Sequence, residues 1–435
     1  MTLSAKPIII IGAGMAGLGC ATWLHRAGRS VLVLDDADAV GGRVRTDVTP
    51  DGFRLDRGFQ VMLTDYPETR RIFDYGALNL KAFRSGAVIR LADGRETTLQ
   101  SPLQRPLAAF SALASPVGNL GDKLRILSLV RHVLNHTPEE LLARPGTDTL
   151  TLLRRYGWSE QMISSFFVPF FGGVFLDREL TTASNFFEFV FQQFVTGKAV
   201  VPALGMQQLP EQLAARLPAG SVRLNAPVAA IVDGTQVRLA SGQVLDGAAV
   251  VLATDGPAAE RLLARRPNAA DGAETPAASS PTAARITTCT YFAADGYSPG
   301  RRDKLLRLNA QRSALAHNVS FPADVSEAYA PAGRALVSVS THGEYNLTGA
   351  ELTATLREEL AAWFGPAARQ WSHLRTYRIA GALPAYLAGH PVRQPSKLAE
   401  GLYRCGDWSA YPSLNAALAT GREVAELLIA AGAAQ

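Results

Sequence analysis

Three glycines near the start of the chain have the spacing that brings a backbone close to a phosphate. Gly12, Gly14 and Gly17 follow the apolar run 8–11 and precede an amphipathic stretch. In such a G-x-G-x-x-G turn the first glycine permits a tight turn, the second leaves room for a phosphate, and the third allows close helix packing. Asp35 ends a second apolar run, where an acid accepts hydrogen bonds from a ribose diol. The pattern predicts a strand–helix–strand unit that binds a dinucleotide.

Two further segments can reach the same ligand. Gly41 and Gly42 form a second glycine pair, and Arg43 follows it with a positive charge. Their N–H groups and the guanidinium are suited to a pyrophosphate. A third turn follows at 55–60, with the sequence LDRGFQ.

The other end of the chain predicts a final strand and a long helix. The segment YRCGD at 403–407 is interpreted as the strand and a Gly-Asp turn, and the helix is expected from about 414 to 430. Ser413 follows Pro412 and is a predicted N-cap. The N-terminus of such a helix stabilises negative charge on a bound group.

With these segments in order, the chain resembles the amine oxidase / phytoene desaturase / protoporphyrinogen oxidase superfamily of flavoproteins. The resemblance implies an α/β fold: a Rossmann-like FAD-binding domain of the GR2 type, with p-hydroxybenzoate-hydroxylase-like architecture, and a discontinuous α+β substrate domain. It implies non-covalent FAD, because the stretch 381–396 contains no cysteine for attachment. The cofactor-binding residues it implies are Gly12, Ala13, Gly14, Ala16, Gly17, Asp35, Asp36, Gly41, Gly42, Arg43, Gly58, Phe59, Gln60, Val228, Gly406, Asp407, Ser413, Leu414 and Asn415.

The FAD-binding domain must be assembled from separate stretches of the chain. We predict residues 1–75, 215–285 and 386–435 for it, and 76–214 and 286–385 for the substrate domain. The Pro-, Ala- and Gly-rich stretch 265–284 is interpreted as a surface connection. Helices are expected at 120–136, 148–156 and 186–195.

The implied reaction is hydride transfer from an apolar organic substrate to flavin N5, as in desaturases and dehydrogenases. Ten of the eighteen phenylalanines fall between Phe166 and Phe194, which predicts either an apolar substrate pocket or ordinary core packing. Thr287 and Thr288 stand where amine oxidases commonly have a lysine, which favours the desaturase-like branch. The catalytic candidates are His390, Trp408 and Tyr411.

Two alternatives remain open. One is a flavin amine oxidase that produces imine and hydrogen peroxide. The other is a non-catalytic binding protein similar to the GDP dissociation inhibitors, which share the fold without using flavin. The intact glycines Gly12, Gly14, Gly17, Gly41 and Gly42 argue against the second.

Composition and charge argue against some classes of partner. The net charge of +5 is spread over mixed signs without a Lys/Arg block, so nucleic acid is not expected. Three cysteines far apart favour a reducing compartment, and we predict a cytoplasmic protein with peripheral membrane contact as an alternative. No second G-x-G-x-x-G unit is present for NADPH, so the expected acceptor is dioxygen, a quinone or another oxidant. No metal site is predicted, because the His132/His136 pair lacks the glutamate of H-E-x-x-H and a third ligand.

Overall fold

The structure is a computed structural model that describes residues 6–100, 116–265, 284–294 and 303–433. The stretch 265–284, which the sequence indicates as a surface connection, lies almost wholly outside the described residues. Strands alternate with helices along the chain, so the fold is mixed α/β.

The described strands are numbered in chain order. They are β1 (Ile8–Ile11), β2 (Val31–Leu34), β3 (Thr46–Val48), β4 (Arg54–Asp56), β5 (Met62–Leu63), β6 (Lys81–Ala82), β7 (Gly86–Arg90), β8 (Glu96–Gln100), β9 (Ala199–Val201), β10 (Val222–Arg223), β11 (Val228–Ile231), β12 (Gln236–Leu239), β13 (Val244–Asp246), β14 (Ala249–Leu252), β15 (Ala284–Ala293), β16 (Leu306–Asn309), β17 (Asn318–Ser320), β18 (Leu336–His342), β19 (Ser372–Pro384), β20 (Lys397–Ala399) and β21 (Leu402–Arg404).

The described helices follow the same order. They are α1 (Met15–Arg26), α2 (Pro67–Ile72), α3 (Leu120–Leu134), α4 (Pro138–Ala143), α5 (Thr149–Arg155), α6 (Glu160–Met162), a π-helix (Ile163–Phe167), α7 (Val168–Phe175), α8 (Ser184–Thr196), α9 (Gln208–Ala214), α10 (Gly256–Ala264), α11 (Pro322–Val325), α12 (Gly349–Phe364) and α13 (Leu414–Ala433). Short 3₁₀ turns occur at Glu327–Tyr329, Pro366–Gln370 and Asp407–Ser409. Within the described ranges, no helix combines the length and the apolar character needed to cross a bilayer.

A six-stranded sheet carries the first glycine turn at the end of its central strand. Its order is β10-β2-β1-β14-β21-β20, and all neighbouring strands are parallel except β20 and β21. Every residue of β1, β2 and β14 is buried, as expected for a parallel sheet covered on both faces. Because the carboxyl ends of β1, β14 and β21 lie along the same edge, the turns after them are neighbours in space.

A seven-stranded sheet forms the second large layer. Its order is β19-β15-β18-β17-β16-β7-β8. One face packs on α12, where Phe292, Val337 and Leu356 share a buried cluster. The other face, which includes Cys289 and Tyr291, packs against the cluster that contains α1 and the turns beside the first sheet. The two sheets draw on different stretches of the chain, and the domain boundaries themselves stay a prediction.

The phenylalanine-rich stretch is mainly core. Seven of the ten rings are at most 7% exposed and pack on one another: Phe167, Phe171, Phe175, Phe186, Phe187, Phe189 and Phe191. Phe166, Phe170 and Phe194 are half-buried; Phe170 contacts both of the others, with centroid separations of 5.5 and 5.1 Å. Core packing therefore explains most of the pattern, and only these three rings keep accessible surface.

Candidate active site

The fold requires glycine at two of the three positions of the first glycine turn, and the third position has space for a side chain. Gly12 has φ of +112°, and a Cβ there would lie 2.7 Å from the carbonyl oxygen of Ala253. A Cβ on Gly17 would lie 2.0 Å from the carbonyl oxygen of Gly12, so α1 could not pack as it does. A Cβ on Gly14 would meet nothing within 4 Å. The space beside Gly14 is therefore open to a ligand.

The second glycine turn is joined to the first. The Gly41 N–H donates to the carbonyl oxygen of Ala13 at 2.8 Å, and Gly14 and Gly41 form an isolated β-bridge. A Cβ on Gly42 would lie 3.5 Å from the Cα of Gly14. The backbones of both turns thus border one space, as the sequence predicts for a shared pyrophosphate.

Asp35 holds the first glycine turn in place. Its Oδ2 accepts from the N–H of Ala13 at 2.5 Å, and its Oδ1 accepts from the N–H of Ala37 at 2.9 Å. The neighbouring Asp36 is exposed. The structure therefore gives Asp35 a structural contact at the turn, and its contact with a ribose stays a prediction.

Two other predicted residues lie in α1 and β11. Ala16 is 5% exposed, and its carbonyl faces α13, where a Cβ on Gly421 would lie 2.4 Å from it. Val228 is half-buried at the start of β11.

Arg43 ties three distant segments together. Its Nη2 donates to Oδ1 of the buried Asp407 at 2.6 Å, and its Nη1 donates to the carbonyl oxygen of Ala382 at 2.9 Å. Burial alone would lower the pKa of Arg43, but the Asp407 carboxylate raises it, so the guanidinium stays charged. Gln60 Nε2 donates to the carbonyl oxygen of Arg43 at 2.7 Å, which attaches the Gly58–Phe59–Gln60 turn to the same point.

The N-terminus of α13 is capped as predicted. Ser413 Oγ accepts from the N–H of Ala416 at 3.0 Å. Helix geometry leaves the N–H groups of Leu414 and Asn415 without intrahelical acceptors. The Asn415 side chain is used internally, because its Oδ1 accepts from the Glu68 N–H at 3.0 Å and its Nδ2 donates to Tyr411 Oη at 3.0 Å. The backbone of this helix start, more than its side chains, is suited to a ligand.

These residues fit a dinucleotide with a polar ring. Arg43 is half-buried, and 35% of its side chain is accessible, so a ligand can reach its charge. Gln60 Oε1 is buried without a hydrogen-bond partner among the described residues. The open space at Gly14 and the accessible cation of Arg43 suit the phosphates of a dinucleotide. The unpaired amide oxygen of Gln60 suits the polar edge of a flavin.

Thr287 lies on the sheet face directed at the Gly58 turn. It stands opposite Ile379 in β19 and His342 in β18. A Cβ on Gly58 would lie 2.9 Å from Ile379 Cδ1, which shows how closely this face approaches the turn. Thr287 Oγ1 donates to the carbonyl oxygen of Thr341 at 3.1 Å and lies 3.0 Å from His342 Nδ1. A threonine, with no lysine, thus occupies this position.

The three catalytic candidates lie in different surroundings. His390 is exposed, with its ring 6.2 Å from that of Tyr386. Trp408 is 8% exposed, and its indole N–H donates to the carbonyl oxygen of Thr254 at 3.0 Å. Tyr411 packs on Phe186 and Phe189, and burial raises its pKa to about 12. Their catalytic roles stay untested predictions.

Sequence reasoning missed a buried carboxylate beside the Gln60 turn. Asp56 is 5% exposed; its Oδ1 accepts from Thr46 Oγ1 at 2.6 Å, and its Oδ2 accepts from Tyr329 Oη at 2.8 Å. Burial raises its pKa to about 6. It borders a small pocket that Phe59 and Gln60 also line. Tyr329 is 273 residues away along the chain, so no local signal predicts this contact.

The sequence pattern of the family described as flavin containing amine oxidoreductase matches residues 15–429. The chain belongs to the flavin-containing amine oxidoreductase family. Relatives of this chain include proteins named as an oxidase and as an oxygenase. The sequence resemblance is thereby confirmed at the level of the family.

Individual relatives of this chain differ in the compounds that their names give as substrates. Putrescine oxidase of Kocuria rosea is 30% identical over 247 residues, which are 53% of this chain and 50% of that protein. The 4,4'-diapolycopene oxygenase of Methylomonas sp is 28% identical over 299 residues, 59% of this chain and 57% of that protein. The alignments thus span about half the length of these curated relatives. A redesigned putrescine oxidase has the same fold, with a TM-score of 0.72 at 20% identity over 98% of this chain and 99% of that one.

Proposed function

We propose that this protein binds FAD without a covalent bond and oxidises an organic substrate. The observation that carries the proposal is the joining of the two glycine turns beside the accessible, charged Arg43. Gly14, Gly41 and Gly42 would border the pyrophosphate, Asp35 the ribose, Val228 the adenine, and the turn at 58–60 and the start of α13 the isoalloxazine. Cys20, Cys289 and Cys405 are all buried, which supports non-covalent attachment.

FAD, when bound, supplies a hydride acceptor at N5 of its ring. The chain orients and tunes this chemistry. The dipole and free N–H groups at the start of α13 favour negative charge on the ring edge that faces them. The sheet face around Thr287 and Ile379 closes the other side of the space from water.

We propose an apolar organic substrate of the kind that desaturases and dehydrogenases oxidise. Thr287 gives this side of the site no positive charge, and burial lowers the pKa of His342 to about 3, so its ring is neutral. Phe166, Phe170 and Phe194 keep accessible apolar surface at the margin of the phenylalanine cluster. A pocket wall of threonine and neutral histidine side chains gains more from burying apolar ligand surface than from holding a charged group.

Amine oxidation is the second candidate, and the alignment with putrescine oxidase favours it. In that case the substrate would be an amine, and dioxygen would be the acceptor. For either candidate the electrons leave to dioxygen, a quinone or another oxidant.

Anaerobic bleaching of the oxidised flavin band distinguishes the two candidates. We expect extended polyenes or polycyclic hydrophobes to bleach the band faster than small amines and amino acids do, since their apolar surface is what the site can bind. Dithionite serves as the control that the flavin is reducible. Bleaching by small amines alone would contradict the proposed substrate class and move the protein to the amine oxidases.

A further inference from the structure

Helix α3 carries a row of exposed leucines. Nine large apolar side chains are markedly exposed in the described part of the chain, and four of them lie on this one helix: Leu120 at 64%, Leu124 at 62%, Leu127 at 54% and Leu134 at 51%. The other five are spread over separate segments: Val48, Leu204, Val244, Leu387 and Leu427. Scattered apolar residues are normal on a surface, whereas a contiguous set marks an interaction site.

The four leucines form one stripe along the outer side of α3. Their spacing of four, three and seven residues returns to the same side of a helix. The opposite side packs inward through Leu129 and Val133, which are 1% and 0% exposed. The helix therefore presents apolar side chains both to the core and to the outside, where a helix packed on one side normally has polar residues. We call Leu120, Leu124, Leu127 and Leu134 the leucine stripe.

The charges on α3 are positive on its accessible side. Arg131 is exposed within the leucine stripe, and Lys123 is half-buried beside it. The acidic residue of this helix, Asp122, is fully buried, where it accepts from Ser159 Oγ at 2.6 Å and from the Asn119 N–H at 2.8 Å. Asp122 therefore puts no negative charge on the outer side of the helix.

We propose that the leucine stripe docks this protein on an anionic lipid surface. A helix with an apolar stripe and basic residues lies in the plane of the interface, with its apolar side chains at the boundary of the headgroups and the basic ones on anionic lipids. The fifteen residues of α3 make a helix of about 22 Å, which lies along a membrane and does not cross it.

Charge favours lipid over a second copy of the chain. Two copies that pack this face symmetrically would place the Arg131 side chains of both copies in one interface, and α3 offers no accessible carboxylate to pair with them. The proposal does not depend on the proposed reaction, because the stripe contributes no group to the glycine turns.

Vesicle sedimentation of the flavin-loaded protein tests this docking surface. One set of vesicles is phosphatidylcholine alone, and the other contains phosphatidylglycerol as well. We expect binding to the anionic vesicles. Leu124→Gln and Leu127→Gln should each reduce the partition coefficient on the order of tenfold, because each removes a leucine that the lipid would bury. Arg131→Glu should weaken binding to the anionic vesicles and have little effect on neutral ones.

The matched control replaces two exposed leucines outside the stripe. Leu204→Gln and Leu427→Gln change side chains that are 46% and 44% exposed, and they should bind vesicles like the unaltered protein. Flavin absorbance and the unfolding temperature verify that each variant is folded. No binding to anionic vesicles, or an equal loss in the control pair, would overturn the proposal. Light scattering that shows a dimer disrupted only by the stripe variants, without vesicle binding, would instead assign the face to a second copy.

Discussion

At the scale of single residues, Gly14 and Gly17 differ in what prevents a larger side chain at each position. Gly17 is restricted by the protein itself, because any side chain would meet the backbone of Gly12. Gly14 has an ordinary φ of −75° and open space beside it, so only a ligand restricts it. A substitution at Gly17 therefore tests folding, and a substitution at Gly14 tests cofactor binding.

Gly14→Ala should leave the unfolding temperature of the FAD-free protein nearly unchanged and weaken FAD binding by about tenfold or more, because the new methyl group occupies ligand space. Gly17→Ala is the contrasting variant and should lower the unfolding temperature clearly. Titration of the apoprotein with FAD measures the affinity. Unaltered FAD affinity in Gly14→Ala would contradict a pyrophosphate at this turn.

Asp35 is expected to act on both the glycine turn and the ribose. Asp35→Ala removes the acceptor of the Ala13 N–H and a charged acceptor for the ribose, so FAD affinity should fall by about 1.5–3 kcal/mol. Asp36→Ala, in the exposed neighbouring residue, is the control and should bind FAD normally. Equal affinities in the two variants would show that Asp35 does not contact the cofactor.

Asp56 should make the stability of the folded protein depend on pH. Its pKa in the folded protein is raised to about 6 by burial, so the folded state holds this proton more tightly than the unfolded chain does. Its stabilising effect is complete below about pH 4 and is lost as the pH rises through about 6, a change of about 3 kcal/mol. Urea unfolding at a fixed FAD concentration measures the unfolding free energies of the unaltered protein and of Asp56→Asn. The difference between these two free energies should narrow or reverse as the pH rises from about 4 to about 6. A pH-independent difference would contradict the raised pKa.

At the scale of elements, local patterns predicted the first βαβ unit well. The apolar run 8–11 and the helix from Met15 to Arg26 occur where the sequence placed them, since each depends on residues within one element. The helices expected near 120–136, 148–156 and 186–195 also form, as α3, α5 and α8.

Contacts between distant elements could not be predicted in the same way. Arg43 and Asp407 are 364 residues apart, and nothing in either local sequence identifies the other as its partner. The phenylalanine-rich stretch shows the same limit, because ring composition does not tell whether a side chain faces the core or a pocket. The structure assigns most of these rings to the core through contacts between α7 and α8.

The cap of α13 gives an element-level prediction. Ser413→Ala removes the acceptor for the Ala416 N–H and should cost about 0.5–2 kcal/mol of unfolding free energy. Ser413→Asp retains an acceptor at the N-cap and should be close to the unaltered protein. Denaturant unfolding of the three proteins measures the effect, and a fully stable Ser413→Ala would show that the cap contributes nothing.

At the scale of the whole molecule, the fold brings the ends of the chain to one site. The turns after β1 and β21 lie on the same edge of the six-stranded sheet, and the start of α13 follows the second of them. The seven-stranded sheet closes this edge with the face that contains Thr287. We propose that the space between the two sheets determines which substrate binds.

Acid precipitation of the purified protein, followed by spectroscopy and mass measurement of the supernatant, tests the central claim most directly. We expect a yellow protein that releases one FAD per chain into the supernatant and leaves a colourless pellet. Flavin that remains in the pellet would contradict non-covalent binding. A colourless protein that cannot be reconstituted with FAD would contradict the assignment of the glycine turns, and with it the proposed function.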